Sequence, residues 1–211
     1  MLYREPNLRF IGGRLALDFV NSVPIDNEFS WDQLIEFLES AQIVTPERGG
    51  ELLALNRSDP QTAEALLRKA QRLAVALRLA LDAVLRKQRV LREWIEPINE
   101  ILRITEGHDE LVYTDNDWEI QFVASEGGLE WLLAAVARSA AEIISEGPRA
   151  RLRLCANPRC GLLFYDTSRT HRRRWCSMTV CGNRHKVAAF ARRHASVRRG
   201  TDKRAASGPY H

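Results

Sequence analysis

All four cysteines of this 211-residue chain, Cys155, Cys160, Cys176 and Cys181, fall within one 27-residue stretch, spaced C-x4-C, fifteen residues, C-x4-C. Few features constrain a fold as tightly. Two short-spaced pairs close small loops and supply two edges of a tetrahedron, the geometry zinc takes with thiolate donors. Clustered pairs in a chain that opens without a secretory signal point to a metal site rather than to disulfides. Four thiolates fill the coordination sphere, so the expectation is one structural Zn2+ per chain, with no open position for catalysis. Asn157-Pro158 makes a turn that can aim the first two thiolates inward, and residues 161–166 read as a strand returning from it. The second pair is expected to open a helix running to His194, whose first turn offers free N–H groups to the thiolates. Knuckle, hairpin and helix together make a small treble-clef-like module. His171, His185 and His194 are alternative ligands, or else surface and phosphate-facing residues.

The charge distribution singles out the same region. The net charge of +4 conceals two unlike parts: residues 149–211 hold 16 Lys and Arg against Asp166 and Asp202, which is +14, whereas residues 1–148 carry −10. Such asymmetry points to two functional parts, the basic one facing a polyanion. Around the cysteines stand Arg169, Arg172, Arg173, Arg174, Arg184, Lys186, Arg192 and Arg193, all candidate nucleic-acid contacts, with Arg198 and Arg199 beyond. Arginine supplies paired donors for phosphate and for guanine edges. One or two of these cations can serve to neutralise a doubly negative zinc–tetrathiolate centre. Ten exceed that need, so an electrostatic footprint for nucleic acid is the better account.

The remainder reads as mainly α. After Gly12-Gly13, residues 14–23 fit both alternation and a helical face, and helix is the preferred reading. Ser30 with Gln33 forms a capping box ahead of Trp31, Leu34, Ile35 and Leu38. Thr45-Pro46 and Asp59-Pro60 each place a capping residue before a first-turn proline. From Pro60 to about Arg89 an amphipathic helix buries Leu66, Ala70, Leu73, Leu77, Leu81 and Val84. Pro97 is expected to break or restart a helix carrying Ile98, Ile101, Leu102 and Ile104. Residues 111–114 and 118–123 read as a hairpin around an Asp/Asn turn. Residues 127–146 form a further helix with Trp131, Leu132, Val136 and Ile143 inward, stopped by Gly147-Pro148. The seam at Pro148 divides a helical domain with one β-hairpin (1–148) from the zinc module (149–198) and a basic tail (199–211) expected to be disordered. No apolar run approaches the roughly 20 residues of a membrane span. The opening MLYREPNLRF has none of the sections of a secretory signal, so a cytoplasmic location is expected.

Arg174-Trp175-Cys176-Ser177-Met178 and Cys181-Gly182-Asn183-Arg184 resemble the signature of the CGNR zinc-finger proteins, and residues 13–22 resemble the opening motif of the ABATE domain that precedes the finger in that family. The resemblance covers nearly the whole chain apart from the tail. It implies a bacterial stress-induced transcription regulator whose finger binds DNA, and it carries Cys155, Cys160, Cys176 and Cys181 over as the metal ligands.

Arg14, Asp18, Asn21 and Trp31 are candidates to line a small-molecule pocket through which the helical domain would sense an effector. Taken singly, each also reads as core or as a helix-start network. No phosphate loop, paired carboxylates, nucleophile elbow or H-E-x-x-H motif is present, so catalysis is not expected. The expected function is a DNA-binding transcriptional regulator, with RNA as an alternative partner and a homodimer built through the helical domain. A protein-interaction adaptor with a purely structural finger is the third alternative.

Overall fold

A computed structural model of the chain describes residues 10–23, 30–104, 107–114, 117–124, 128–188 and 190–191. Arg192, Arg193, His194 and the tail at 199–211 lie outside the described residues. Helix starts fall where capping chemistry puts them. α1 spans Leu15–Ser22, α2 Trp31–Ser40, α3 Pro46–Ser58 and α4 Pro60–Leu85. The Ser30 hydroxyl accepts from the Gln33 N–H at 3.2 Å while the Gln33 side chain accepts from the Ser30 N–H at 3.0 Å, the reciprocal box its spacing predicts. Thr45 and Asp59 cap α3 and α4, each just ahead of its proline. The ambiguous stretch is α1, in which Ala16, Leu17, Asp18, Phe19, Val20 and Asn21 are all buried. A helix enclosed on every side has no polar stripe from which a period could be read.

α4 is the centre of the helical part. Its buried residues include all six predicted from the sequence, and it touches α1, α2, α3, α5 and α6. α5, Arg92–Ile104, runs through Pro97 without the expected break. Pro97 is its sixth residue, so the hydrogen bond it forfeits belongs to the Glu93 carbonyl in the first turn. Glu93 is exposed, and water can take the place of that bond. β1 (Gly107–Thr114) and β2 (Asp117–Ala124) pair antiparallel with Thr114 opposite Asp117, which is the expected hairpin with β1 starting earlier. The turn residues Asp115 and Asn116 lie outside the described residues. The stretch expected as one helix from residue 127 begins as a 3-10 turn, Leu129–Leu133, before α6, Ala134–Glu146. Among the described residues, no helix is long and apolar enough to cross a membrane.

After Gly147, whose φ of 54° favours glycine, β3 (Leu152–Leu154) and β4 (Leu163–Tyr165) form a second antiparallel hairpin. Every residue of β4 is buried. Leu163 and Tyr165, with Leu152, belong to the large helical core, whereas Phe164 belongs to a small core with Cys155, Leu162, Trp175, Cys176 and Cys181. Alternate side chains of a strand face opposite ways, so β4 is shared between two cores. Ile11, ahead of α1, packs against the small one.

Candidate functional site

The four cysteines meet at one point. Their sulfurs all lie within 4.8 Å of one another. Cys176 Sγ is 3.6 Å from Cys160 Sγ and 3.7 Å from Cys181 Sγ. A zinc–sulfur bond of about 2.3 Å in a tetrahedron sets sulfur–sulfur edges near ~3.8 Å, so these separations fit the ion. A disulfide needs about 2.05 Å, and all four cysteines are free. Crowding this close prevents four bare thiols from ionising together. The neighbouring Cys176 thiol pulls Cys160 down to about 5, while its contact with Cys160, burial and the Cys160 charge push Cys176 up. A divalent cation removes that conflict by holding all four as thiolates.

The backbone explains how the pairs are aimed. In the first knuckle the Cys160 N–H donates to Asn157 O at 2.9 Å, and Cys155 N–H donates to Leu162 O at 2.9 Å. Ala156 N–H donates to Arg174 O at 2.9 Å, which ties the knuckle to the segment entering the second pair. Asn157 holds the turn through its Oδ1, which accepts from Arg159 N–H at 3.1 Å, and reaches Cys181 Sγ with Nδ2 at 3.5 Å. Cys176 N–H lies 3.5 Å from Cys155 Sγ. Donors at sulfur fix ligand orientation, and Asn157 in that role was not legible from its turn propensity. The expected helix start at Cys176 is corrected. Ser177 is the cap, its hydroxyl accepting from Val180 N–H at 3.3 Å, and a π turn over Met178–Gly182 leads into helical residues 183–188 and 190–191. Cys176 precedes the cap and Cys181 sits in the first turn. Gly182 has little room beside it, because a Cβ there would approach Met178 Sδ to 3.1 Å. Among the described residues no histidine joins the cluster. His185 packs on Trp175 with ring centroids 4.7 Å apart, and His171 lies against Arg151.

The arginines divide by environment. Arg173 is half-buried: its Nε donates to Trp175 O at 2.8 Å, its Nη2 donates to Cys176 O, and its guanidinium lies 4.7 Å from the Phe164 ring centroid. It braces the zinc knuckle. Arg174 is exposed and lies over Trp175 at 5.3 Å. Arg169, Arg172, Arg184 and Lys186 are exposed, as are Arg151 and Arg159, which the sequence reading did not single out. Arg153 pairs with Asp166 at 2.9 Å. On the C-terminal helix Val187 is 68% and Phe190 57% exposed.

Residues 151–194 match the CGNR zinc finger, and residues 13–147 match ABATE, described as a putative stress-induced transcription regulator. The chain belongs to the ABATE family. No curated protein matches it. The two matched descriptions are of a regulator and a zinc finger, and neither is of an enzyme. The four sulfurs of the CGNR finger make the site of one structural zinc ion.

Within the ABATE domain, Arg14, Asp18 and Asn21 gather at the seam with the CGNR finger. Asn21 is buried, and its amide donates to Leu163 O at 2.8 Å and accepts from Leu163 N–H at 3.0 Å. Gly12 O accepts from Tyr165 N–H at 2.7 Å, so the outer edge of β4 is covered by a side-chain amide and one carbonyl in place of a third strand. Asp18 in turn accepts from Gly12 N–H at 2.7 Å. Burial pushes its carboxyl up to about 6, and the Gly12 bond draws it partly back. A Cβ on Gly12 would meet Leu17 Cβ at 2.7 Å, so the approach to α1 requires glycine. Arg14 lays its guanidinium 4.7 Å from the Tyr165 ring centroid. Trp31 sits apart, donating from Nε1 to Leu52 O at 2.9 Å and lining an open hollow of about 390 Å³ with Asn56, Leu67 and Gln71. A larger hollow of about 590 Å³ between α2 and α3 is lined by Asp32, Glu36, Glu39 and Arg57. Arg14, Asp18 and Asn21 line neither.

Proposed function

We propose that this ABATE-family chain is a transcriptional regulator whose zinc-bound CGNR finger binds nucleic acid, DNA ahead of RNA. Cys155, Cys160, Cys176 and Cys181 hold the zinc in this reading. Residues 1–148 act as the sensing or dimerising domain, and the protein works in the cytoplasm. The observation that carries the reading is the set of exposed cations, Arg151, Arg159, Arg169, Arg172, Arg174 and Lys186, on a finger whose buried acid, Asp166, is already paired with Arg153. Cations left facing water on a small rigid module are what phosphate contact requires. The zinc supplies no reactivity in this scheme; it fixes the scaffold that presents the cations. Arg192 and Arg193, which lie outside the described residues, are further cations in the same reading.

The test is titration of the zinc-loaded full chain against duplex DNA, duplex RNA and single strands at two salt concentrations. Binding that falls steeply with salt is expected, because each neutralised phosphate releases condensed counterion. Failure of all three to bind at low salt would sink the reading. The adaptor reading would then take its place, favoured by the exposed Met178 and Val187 on the finger.

A further inference from the structure

Asp166 is fully buried within the most basic part of the molecule. Its carboxylate has a complete set of donors. Oδ1 accepts from Ser168 N–H at 3.1 Å and from the Ser168 hydroxyl at 2.6 Å. Oδ2 accepts from Arg173 N–H at 3.0 Å and from Arg153 Nε at 2.9 Å. Asp166 N–H donates to Arg151 O at 2.8 Å. One side chain thus closes both ends of the loop 167–172, near its start at Ser168 and just past its end at Arg173. Arg153 adds a second tie by donating from Nη2 to His171 O. His171 takes a positive φ of 49°, unusual for a residue with a Cβ, and its N–H donates to Ser168 O at 3.1 Å.

That rigid loop carries cations outward. Arg169 and Arg172 are exposed on it, with the exposed His171 ring between them in the chain. Arg151 Nη1 lies 3.2 Å from His171 Nδ1 and 3.4 Å from Nε2, nearly equidistant from both ring nitrogens and therefore over the ring face. Among the described residues, no carboxylate pairs with Arg151, Arg169 or Arg172. Holding like charges together without a counter-ion costs energy, and a phosphate oxygen between them relieves it.

We infer that the loop 167–172, with Arg151 beside it, is the principal phosphate-contacting site of the CGNR finger, and that Asp166 is the residue that positions it. The inference rests on the nucleic-acid reading above and names the surface that serves it: the contact lies on the Asp166 loop ahead of the helix after Cys181. Asp166 does not touch the ligand. It sets the backbone that aims Arg169 and Arg172, and a preformed loop binds without first being ordered.

Charge and position predict opposite results at Asp166, which makes the test sharp. Asp166→Asn raises the net charge by one, so an account by charge alone expects tighter binding. Its amide nitrogen cannot accept, so whichever way the amide faces one end of the loop loses its tie, and a positioning role expects weaker binding and a flatter salt slope. The probe is a mixed-sequence DNA duplex of about 20 base pairs, titrated with zinc-loaded full chain across a salt series. Arg169→Ala/Arg172→Ala is expected to reduce the slope of log affinity against log salt by about 1.8, two phosphate contacts' worth. Arg184→Ala/Lys186→Ala on the helix is expected to reduce it by less. Zinc content is measured on every variant. Should Asp166→Asn not retain zinc, the comparison of the two cation pairs decides alone. Tight binding by Asp166→Asn, or a slope lost with the helix pair and kept with the loop pair, would overturn the inference. If the wild-type chain itself bound nothing, the functional reading beneath it would fall instead.

Discussion

Removing the Asn21 amide tests whether the seam between the ABATE domain and the CGNR finger carries stability. Asn21→Ala leaves the Leu163 N–H and C=O without partners at a site where Asn21 is 3% exposed. Each unsatisfied buried group costs about 1–3 kcal/mol, and two of them with slight relaxation give about 3 kcal/mol. For a chain of this size that is roughly 6–12 °C in Tm. Because β4 packs into both cores, the loss should appear in the helical transition and not only in the finger. The assay is thermal and urea unfolding of zinc-saturated protein followed by far-ultraviolet circular dichroism and tryptophan fluorescence. Asn21→Asp serves as a control. It keeps an acceptor for the Leu163 N–H but sets a carboxylate against the Leu163 carbonyl, so near neutral pH it should be at least as damaging as alanine. A loss below about 1 kcal/mol for Asn21→Ala would refute the reasoning, since water would then be replacing both bonds.

Three further outcomes follow from the same geometry. Protein purified under reducing conditions should carry one zinc per chain by elemental analysis, and chelation should lower the Tm of the helical transition as well, because Leu163 and Tyr165 lose their anchor; an unchanged Tm would count against the shared strand. Asp18, raised in the folded chain to about 6, binds more protons there than when unfolded, so its contribution to stability is present at low pH and is lost as pH rises through about 4 to 6. Asp18→Asn keeps an acceptor for Gly12 N–H and should gain roughly 1–2 kcal/mol over wild type near neutral pH after allowance for solvent screening, an advantage that vanishes below about pH 4 in paired urea series. Arg173→Ala should speed zinc loss to a competing chelator, with about 2–3 kcal/mol of bracing removed from the Trp175 and Cys176 carbonyls, whereas Arg172→Ala should not; equal rates would show that Arg173 is dispensable to the knuckle.

Features that depend on neighbours a few residues away were legible in the sequence. The capping box at Ser30, the proline starts at Pro46 and Pro60, the repeat of the buried stripe of α4 and each C-x4-C pair act over one or two turns of chain, and the structure repeats them. The cysteine spacing alone was enough to expect a stapled module with a closed metal site. Pro97 and Cys176 departed from expectation for local reasons, one near an exposed first turn and the other displaced by the Ser177 cap. What only the tertiary structure decided lies in contacts across long stretches of chain. Asn21 meets Leu163 across 142 residues, and nothing in the composition of either segment announces the pairing. Likewise only the fold sets Arg14 over the Tyr165 ring and Asp18 against the Gly12 N–H beside β4. The arginines show the same division. Their number and density are sequence properties, but which of them face water and which brace the zinc knuckle depends on where the Asp166 carboxylate and the Trp175 and Cys176 carbonyls come to rest. A side chain's charge is fixed by its chemistry, whereas its availability is set by the groups that the fold brings within hydrogen-bonding distance.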